Sequence, residues 1–494
     1  MNPMKVRNLA IAGAVAAALG SAANATNVTP DYVIYTGGGS AEPIPVQVAL
    51  CTLLQNVDVF TDASTDGQSA DYLVLEGTAI NAIGGIAAGK SVMVMYKFNG
   101  GSYLNGAQYL SNSGGTLTYP TVAGVLNNAA IPSGTFPQTG PAGSGCTAGD
   151  GFPTFAYNNT QSGNSILTNL EQPALGVTDL EVAAFSGDNN PNGPSAPLVT
   201  VGHAAKGYDL VEGIAVSAPL FAVKSNFTAN EVEQILSGGL TDWHDFIADS
   251  GAPVAAAGTP IKLIDRNIGS GTKTAGSAFF LGYPWLGSFS TRAGSAVYGY
   301  TAGPVTAAGY QDISASNSAT VVTDLQTCTS SSLYCIAVLS ADNAPYLNQV
   351  GGKNTYDFVS INGTYVDTNV NGVDSLNDPA GAGSSFKNVI LGNYGFYYQV
   401  SLNQDSTYLA SNPIPQAFSN ALQTALQSSQ IAGLATGKQF PVSAPAIVLD
   451  PDVATFVTGK AGVAIESRQG NSDSFPAMNN HAFGVTITFG KDPL

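Results

Sequence analysis

Seven residues that follow an apolar stretch carry a concentrated set of anion-binding groups: Arg266-Asn267-Ile268-Gly269-Ser270-Gly271-Thr272, directly after Ile261-Lys262-Leu263-Ile264-Asp265. A guanidinium, two hydroxyls and glycine-flanked amides delivered to one turn form a cradle for an oxyanion. Lys273 to Leu281 reads as a helix. The N–H groups of Ser270, Gly271 and Thr272 then sit at its positive end, where hydrogen bonds and the helix dipole favour the same anion. Alone, Gly-Ser-Gly-Thr is an ordinary turn with a capping hydroxyl; Arg266 and two earlier loops of similar build distinguish it.

The elements that must hold such a cradle can be read along the chain. Val33-Ile34-Tyr35 predicts a short strand running into Thr36-Gly37-Gly38-Gly39-Ser40-Ala41, followed by an apolar helix from Pro45 to Val57. Residues 91 to 97 predict another strand, closed by Phe98-Asn99-Gly100-Gly101-Ser102. Val177-Thr178-Asp179-Leu180 resumes a strand, and Gly213 to Val223 reads as a strand long enough to cross between lobes. Thr228-Ala229-Asn230-Glu231 is a capping box opening a helix that Gly238-Gly239 stops. A helical pattern around Ser318 to Leu325, strands at 334 to 339 and 395 to 402, and a helix from Pro415 to Ser428 follow. Strands alternating with helices, with glycine turns at strand ends, specify an α/β fold with its ligand at a switch point. Residues 100 to 170, rich in Gly, Ser, Asn, Thr and Pro, read as an irregular or short-stranded polar insertion, and 436 to 494 as a tail without assignable elements.

Composition narrows the partners. Lys5 and Arg7, the apolar stretch Leu9 to Leu19 and Ala23-Asn24-Ala25 have the layout of a secretory signal peptide over residues 1–25, so a periplasmic or secreted product cleaved near Ala25 is expected. No later segment has the apolar length of a membrane span. The net charge of −17 argues against nucleic acid or an anionic membrane as partner, since both need a basic face, but leaves room for a small anion in a buried site. Four cysteines in an exported chain suggest two disulfides, for which local pairing is simplest: Cys328 with Cys335, and Cys51 with Cys146. His203, His244 and His481 are scattered, and no metal or other cofactor is expected.

Four stretches in order carry a resemblance. Thr36-Gly37-Gly38-Gly39-Ser40-Ala41-Glu42-Pro43, Tyr96 to Ser102, Gly176-Val177-Thr178-Asp179 and Arg266 to Thr272 are similar to the ligand loops of the phosphate-binding component of bacterial phosphate ABC transporters, the PstS-like group of type 2 periplasmic binding proteins. Phe227 to Asp245 and Leu333 to Leu339 resemble that group's helix and strand segments away from the ligand. The resemblance implies a two-lobed receptor with a hinge, without chemistry, that closes over phosphate for uptake, with an ABC permease as partner and the chain a monomer. It implies lobe 1 over 26–215, lobe 2 over 216–398, and a return to lobe 1 with a C-terminal extension over 399–494. The ligand-binding residues it implies are Gly39, Ser40, Ala41, Glu42, Ser102, Asp179, Arg266, Ser270, Gly271 and Thr272. Asp179 is acceptor-only, so beside an anion it repels unless the ligand carries a proton, which phosphate does and sulfate at neutral pH does not. The chain departs from the group's pattern at Ala41 and Glu42, which put a carboxylate near the pocket unless it turns to solvent, and at Ile268, which stands where an acid neutralises the arginine.

Two readings of other classes compete. A surface or matrix interaction protein on the same scaffold would use the polar insertion and tail, and a secreted phosphatase-like relative would need a nucleophile or metal set. Retention of Asp179 and Arg266 favours a binding protein over the first, because a degenerate scaffold has no reason to keep a costly buried pair. No Gly-x-Ser-x-Gly and no Ser/His/Asp ordering supports the second.

Overall fold

The computed structural model describes residues 29–61, 71–110, 115–128, 132–136, 152–156, 167–193, 195–199, 201, 203–282, 310–341, 343–345, 349–366, 377, 387–390 and 393–427. The signal segment, Cys146, His481 and the 436–494 tail lie outside them. The elements in chain order are β1 (Tyr32–Gly38), α1 (Pro43–Leu53), β2 (Leu54–Thr61), β3 (Tyr72–Ala79), β4 (Ser91–Lys97), α2 (Ser102–Gly106), β5 (Leu117–Pro120), α3 (Val122–Asn128), β6 (Pro132–Phe136), β7 (Phe152–Ala156), β8 (Leu167–Glu171), β9 (Leu175–Thr178) and β10 (His203–Ser217). The second half adds α4 (Ala218–Phe221), β11 (Asn226–Phe227), α5 (Ala229–Leu236), β12 (Ile261–Arg266), α6 (Gly271–Leu281), β13 (Tyr310–Ala315), α7 (Ser318–Ser330) and β14 (Cys335–Ser340). It closes with β15 (Tyr356–Phe358), β16 (Ser360–Ile361), α8 (Lys387–Ile390), β17 (Tyr397–Gln404), α9 (Ser406–Ser411) and α10 (Pro413–Leu426).

The fold is α/β, built on one large mixed sheet ordered β13-β12-β14-β10-β17-β9-β1-β4-β3-β2-β7-β6, with β15 also on β10. Two parallel centres stand in it, β9-β1-β4 and β13-β12-β14, and antiparallel β10 and β17 run between them. Each centre has its own core. Ile34, Leu50, Val94 and Leu175 pack in one, Ile235, Trp243, Leu263 and Ile336 in the other. β10 and β17 belong to both: Tyr208, Leu210, Val400 and Leu402 face the first core, while Val211, Ile214, Tyr397 and Tyr398 face the second. The molecule is thus two lobes joined by two crossing strands.

Two sequence expectations need correction. The first helix stops at Leu53 instead of reaching Val57, because Leu54, Val57 and Val59 are buried with exposed Gln55 and Asn56 between, an alternation that suits a strand paired to β3. The crossing strand is β10, which starts at His203, ten residues before Gly213, and ends at Ser217, where Pro219 in the first turn of α4 takes over. The insertion is short-stranded where described: β5 pairs with β8, β6 and β7 extend the sheet edge, and the Tyr119 hydroxyl donates to the Thr36 carbonyl at 2.8 Å. No helix among the described residues is long and apolar enough to cross a membrane.

The Cys328–Cys335 disulfide ties the end of α7 to the start of β14. Cys51 is also disulfide-bonded, and Cys146, its expected partner, lies outside the described residues.

Candidate functional site

Parallel pairing brings the C-terminal ends of β1, β4 and β9 to one edge, with Thr36 level with Tyr96 on one side and Leu175 on the other. Three loops leave that edge. The β1 loop gives Gly39, Ser40, Ala41 and Glu42; the β4 loop gives Gly101 and Ser102; Asp179 directly follows β9. Their packing is tight at Gly39. A Cβ placed there would lie 2.5 Å from Asp179 Oδ1, 2.7 Å from Glu42 Oε2 and 3.1 Å from Ser102 Cβ, so the two carboxylates share the flank of Gly39 and a side chain there would force them to shift. Ser102 Oγ accepts the Asp179 N–H at 2.9 Å, which fixes the aspartate, and its own proton remains to be donated. The buried Tyr96 hydroxyl donates to the Gly39 carbonyl at 3.2 Å.

The opposite wall comes from β12 and two helices. Arg266 ends β12 at 5% exposure. Its Nη1 donates to Ser318 Oγ at the start of α7 at 3.0 Å, while Nε has no partner. Gly269 takes φ 86°, turning the chain into α6, which Ser270 caps by accepting the Lys273 N–H. Nearly every residue of α6 is buried, which its small side chains (Gly271, Thr272, Ala275, Gly276, Ser277, Ala278) allow. The helix therefore starts at Gly271, two residues earlier than the sequence suggests. Lys273, in its first turn, pairs with Asp265, and Asp265 Oδ1 accepts the Arg266 N–H at 2.8 Å.

The two walls touch. Tyr103 N–H donates to the Gly269 carbonyl at 3.1 Å, and a Cβ added to Gly101, at φ 108°, would come within 3.0 Å of the same carbonyl. Ser40 and Ser318 hydroxyls bridge the walls at 3.3 Å. The Asp179 carboxylate lies against Gly271 so closely that any Cβ there would overlap it. An acid at the end of β9 thus rests on the N-terminal end of α6.

Charge in this cleft leans negative. Glu42, Asp179, Glu212 and Asp265 are buried around Arg266 and Lys273. Burial lowers the pKa of Arg266 from its ordinary value, and the charges of Asp179, Glu212, Asp265 and Glu42 act in the other direction. The guanidinium stays charged across any working pH. Burial first, then the charges of Glu42, Tyr208 and Asp179, hold the Tyr96 hydroxyl well above its usual range, so it remains a proton donor. Burial raises the pKa of Asp265, opposed by Lys273.

All ten residues expected from the sequence lie on these two facing walls. Glu42 is wholly buried rather than turned to solvent. Ser102 anchors Asp179 by accepting its N–H. Sequence reasoning missed Tyr96, Glu212, Ser318 and the Asp265–Lys273 pair. Arg266 is consequently not the lone cation of its wall. The pair had a local signal, an acid and a lysine flanking the Arg-to-Thr turn eight residues apart; Glu212 had none. Among the described residues no group of His, Cys, Asp and Glu is arranged to hold a metal ion.

No family model matches the chain, and no curated protein matches it. Solved structures do. A phosphate-binding protein from Stenotrophomonas maltophilia is similar over 81% of this chain and 84% of its own, at 11% identity and a TM-score of 0.34. An ABC-type phosphate transport receptor from Vibrio cholerae is similar over 55% of this chain and 80% of its own, at 10% identity and a TM-score of 0.30. PstS from Borrelia burgdorferi is similar over 47% of this chain and 70% of its own, at 11% identity and a TM-score of 0.27.

Proposed function

We propose that the protein is an exported solute-binding protein that captures inorganic phosphate, or a related tetrahedral oxyanion, between its two lobes for ABC-type uptake. The observation that carries this reading is Arg266: a guanidinium at 5% exposure whose Nε has no partner, beside the N-terminal end of a buried helix. A buried donor of that strength without an acceptor is costly unless a ligand supplies one. In this reading Arg266, the hydroxyls of Ser102, Ser270 and Thr272, and the amides of Gly271 and Thr272 donate to bare ligand oxygens. Gly39, Ser40 and Ala41 shape the other side, and Asp179, whose Oδ1 is buried and unpartnered, accepts from a protonated ligand oxygen.

Capture is hinge closure in this account. Lobe 1 over 26–215, lobe 2 over 216–398 and the return over 399–494 would rotate about β10 and β17, which change from one core to the other near Val211 and Tyr398. No bond is made or broken, and the chain hands its ligand as a monomer to a permease. Titration calorimetry of the purified protein with phosphate, arsenate and sulfate tests the reading: phosphate and arsenate should bind and sulfate should not. Absence of heat with all three anions refutes it.

A further inference from the structure

The chain between β9 and β10 is anchored twice to one strand and spends its middle on the opposite lobe. Thr178, the last residue of β9, pairs with Ser401 of β17, and His203, the first of β10, pairs with Gln404 on the same strand. Both ends therefore belong to the lobe whose core holds Leu175 and Leu402. Between them, Leu180, Ala184 and Phe185 are buried in the other core, with Leu263 and Ile336. The turn Val182–Phe185 packs against α6.

The residues that follow reach the anion cradle from outside. Asn189 Oδ1 accepts from the Ser277 hydroxyl of α6 at 3.4 Å while its Nδ2 donates to the Ala184 carbonyl at 3.3 Å, which holds the turn to the helix. Pro191 lies against the turn before α6, since a Cβ on Gly269 would come 3.2 Å from its ring. The strap then returns past Tyr103, whose hydroxyl accepts the Val199 N–H at 3.2 Å and whose ring centre stands 5.3 Å from that of Phe185. Through its own N–H, Tyr103 also bonds the Gly269 carbonyl. One wholly buried tyrosine beside Ser102 thus joins the strap, the cradle and the loop after β4.

Glu181 works against this docking. Its two carboxyl oxygens are buried with no hydrogen-bond partner among the described residues, although both of its chain neighbours, Leu180 and Val182, pack with the apolar core. Burial pushes its pKa from 4.5 up to about 8, so near neutral pH it is held mainly as the neutral acid. A buried polar group without a partner carries a cost that contact with water removes.

A loop with both ends on one lobe and its middle in the core of the other must either lift or bend when the lobes rotate apart. The unmet cost at Glu181 favours lifting. On the reading of the cleft as a phosphate receptor, we infer that residues 180–193 and 195–199 form a strap that docks on the second lobe as the cleft closes, and that release of the anion waits on its undocking. Phe185 and Tyr103 are the positioning residues of the docked state, and Glu181 keeps that state from being too stable to open. None of the three needs to touch the ligand to set how long it stays.

The test uses purified whole protein and substitutions of opposite expected sign. Release of labelled inorganic phosphate into excess unlabelled phosphate should be faster by about tenfold or more in Phe185→Ala, which removes the ring that Tyr103 packs on. In Glu181→Met, a side chain of similar length that needs no hydrogen bond, release should be slower by about threefold or more, a direction that damage to the fold does not produce. Glu181→Gln keeps an unpartnered polar group and should release at about the wild-type rate. In protein without added phosphate, hydrogen exchange at the Tyr103 and Val199 amides should quicken in Phe185→Ala and slow in Glu181→Met, because each is bonded only while the strap and the two walls are together. Equal slowing of release by Glu181→Gln and Glu181→Met would assign the effect to charge and overturn the inference. Release and exchange rates unaltered by Phe185→Ala and Glu181→Met would overturn it as well, since a strap that bends with the lobes gives that result. If Phe185→Ala folds poorly, the two Glu181 variants decide alone. Absence of phosphate binding by wild type overturns the phosphate reading, and the exchange rates then decide whether the strap undocks.

Discussion

Replacing Gly271 with alanine should destabilise the protein, although helix energetics alone predict the reverse. Gly271 opens α6 at an ordinary negative φ, and alanine in a helix is favoured over glycine by about 0.5 to 1 kcal/mol. Here the added methyl would overlap Asp179 Cβ, Cγ and Oδ2. The aspartate cannot simply move away. Its N–H is held by Ser102 Oγ at 2.9 Å, and its other oxygen already stands against Gly39. Overpacking of this kind costs about 1 to 3 kcal/mol, so the net loss should be up to about 2.5 kcal/mol once the helix gain is included. Chemical denaturation of unliganded protein, followed by the fluorescence of Trp243 in the core of the same lobe, measures it. The decisive comparison repeats Gly271→Ala in an Asp179→Gly background, because Asp179 Cβ itself would lie 2.3 Å from the added methyl. With the whole side chain gone the methyl has space, and the substitution should become neutral or stabilising, a coupling of about 2 kcal/mol. An equal cost in both backgrounds would refute the contact between β9 and α6 on which the description of the site depends.

Arg266→Ala should weaken anion binding at least roughly a hundredfold, since removing one partner from a buried charge set costs about 3 to 5 kcal/mol, and Arg266→Lys should not restore it because an ammonium lacks the planar fork; an unchanged dissociation constant by calorimetry would remove Arg266 from the site. Asp179→Asn should raise sulfate affinity relative to phosphate, and adding Glu42→Gln should raise it further, because the two carboxylates flank one glycine and one substitution leaves half the repulsion. A sulfate-to-phosphate ratio unchanged in the double variant would show that neither acid faces the ligand. Cys328→Ser with Cys335→Ser should cost roughly 2 to 3 kcal/mol for the short loop it opens, and unreduced peptide maps should join Cys51 to Cys146. Burial, with Asp58 adding to it and the Ser91 hydroxyl opposing, pushes Glu76 from 4.5 up to about 7. The folded chain therefore holds a proton that the unfolded chain has lost, and stability falls as pH rises through that window. Glu76→Gln should narrow the difference in melting temperature between about pH 5 and about pH 8, and an unaltered difference would count against the shift.

The Arg266-to-Thr272 turn was legible because its information is local: an apolar strand, a glycine, a capping serine and a helix lie in one continuous run. The loop after β1 and the serine after β4 were legible for the same reason. Glu42 was not. Whether it meets solvent or Asp179 depends on the register that sets β1 between β4 and β9, a property of residues more than fifty positions away in the chain. Lys273 reads as a surface residue in a helix first turn, and only the burial of the whole helix converts it into Asp265's partner. β2 continues the apolar run of the preceding helix, and short apolar runs fit either period. The start of β10 was missed at its bulge between Lys206 and Asp209, where register shifts and the alternation breaks.

The placement of opposite charges is what makes a ligand necessary to the proposed function. Arg266 and Asp179 would neutralise each other at a surface, yet here Arg266 makes no ion pair among the described residues, and Asp179 keeps a buried oxygen without a partner. Each is pinned from behind: Arg266 by Ser318 and by the backbone bond to Asp265, Asp179 by Ser102 and the two glycines. Charges fixed apart in a water-poor cleft carry an unmet desolvation cost. An ion with bare oxygens for one and a proton for the other removes that cost at both ends at once. A fully deprotonated anion would relieve Arg266 while worsening Asp179 and Glu42, and a cation would do the opposite. In the proposed function the geometry would discriminate by protonation before size, and closure of the lobes would be favourable only around a ligand that is acceptor and donor together.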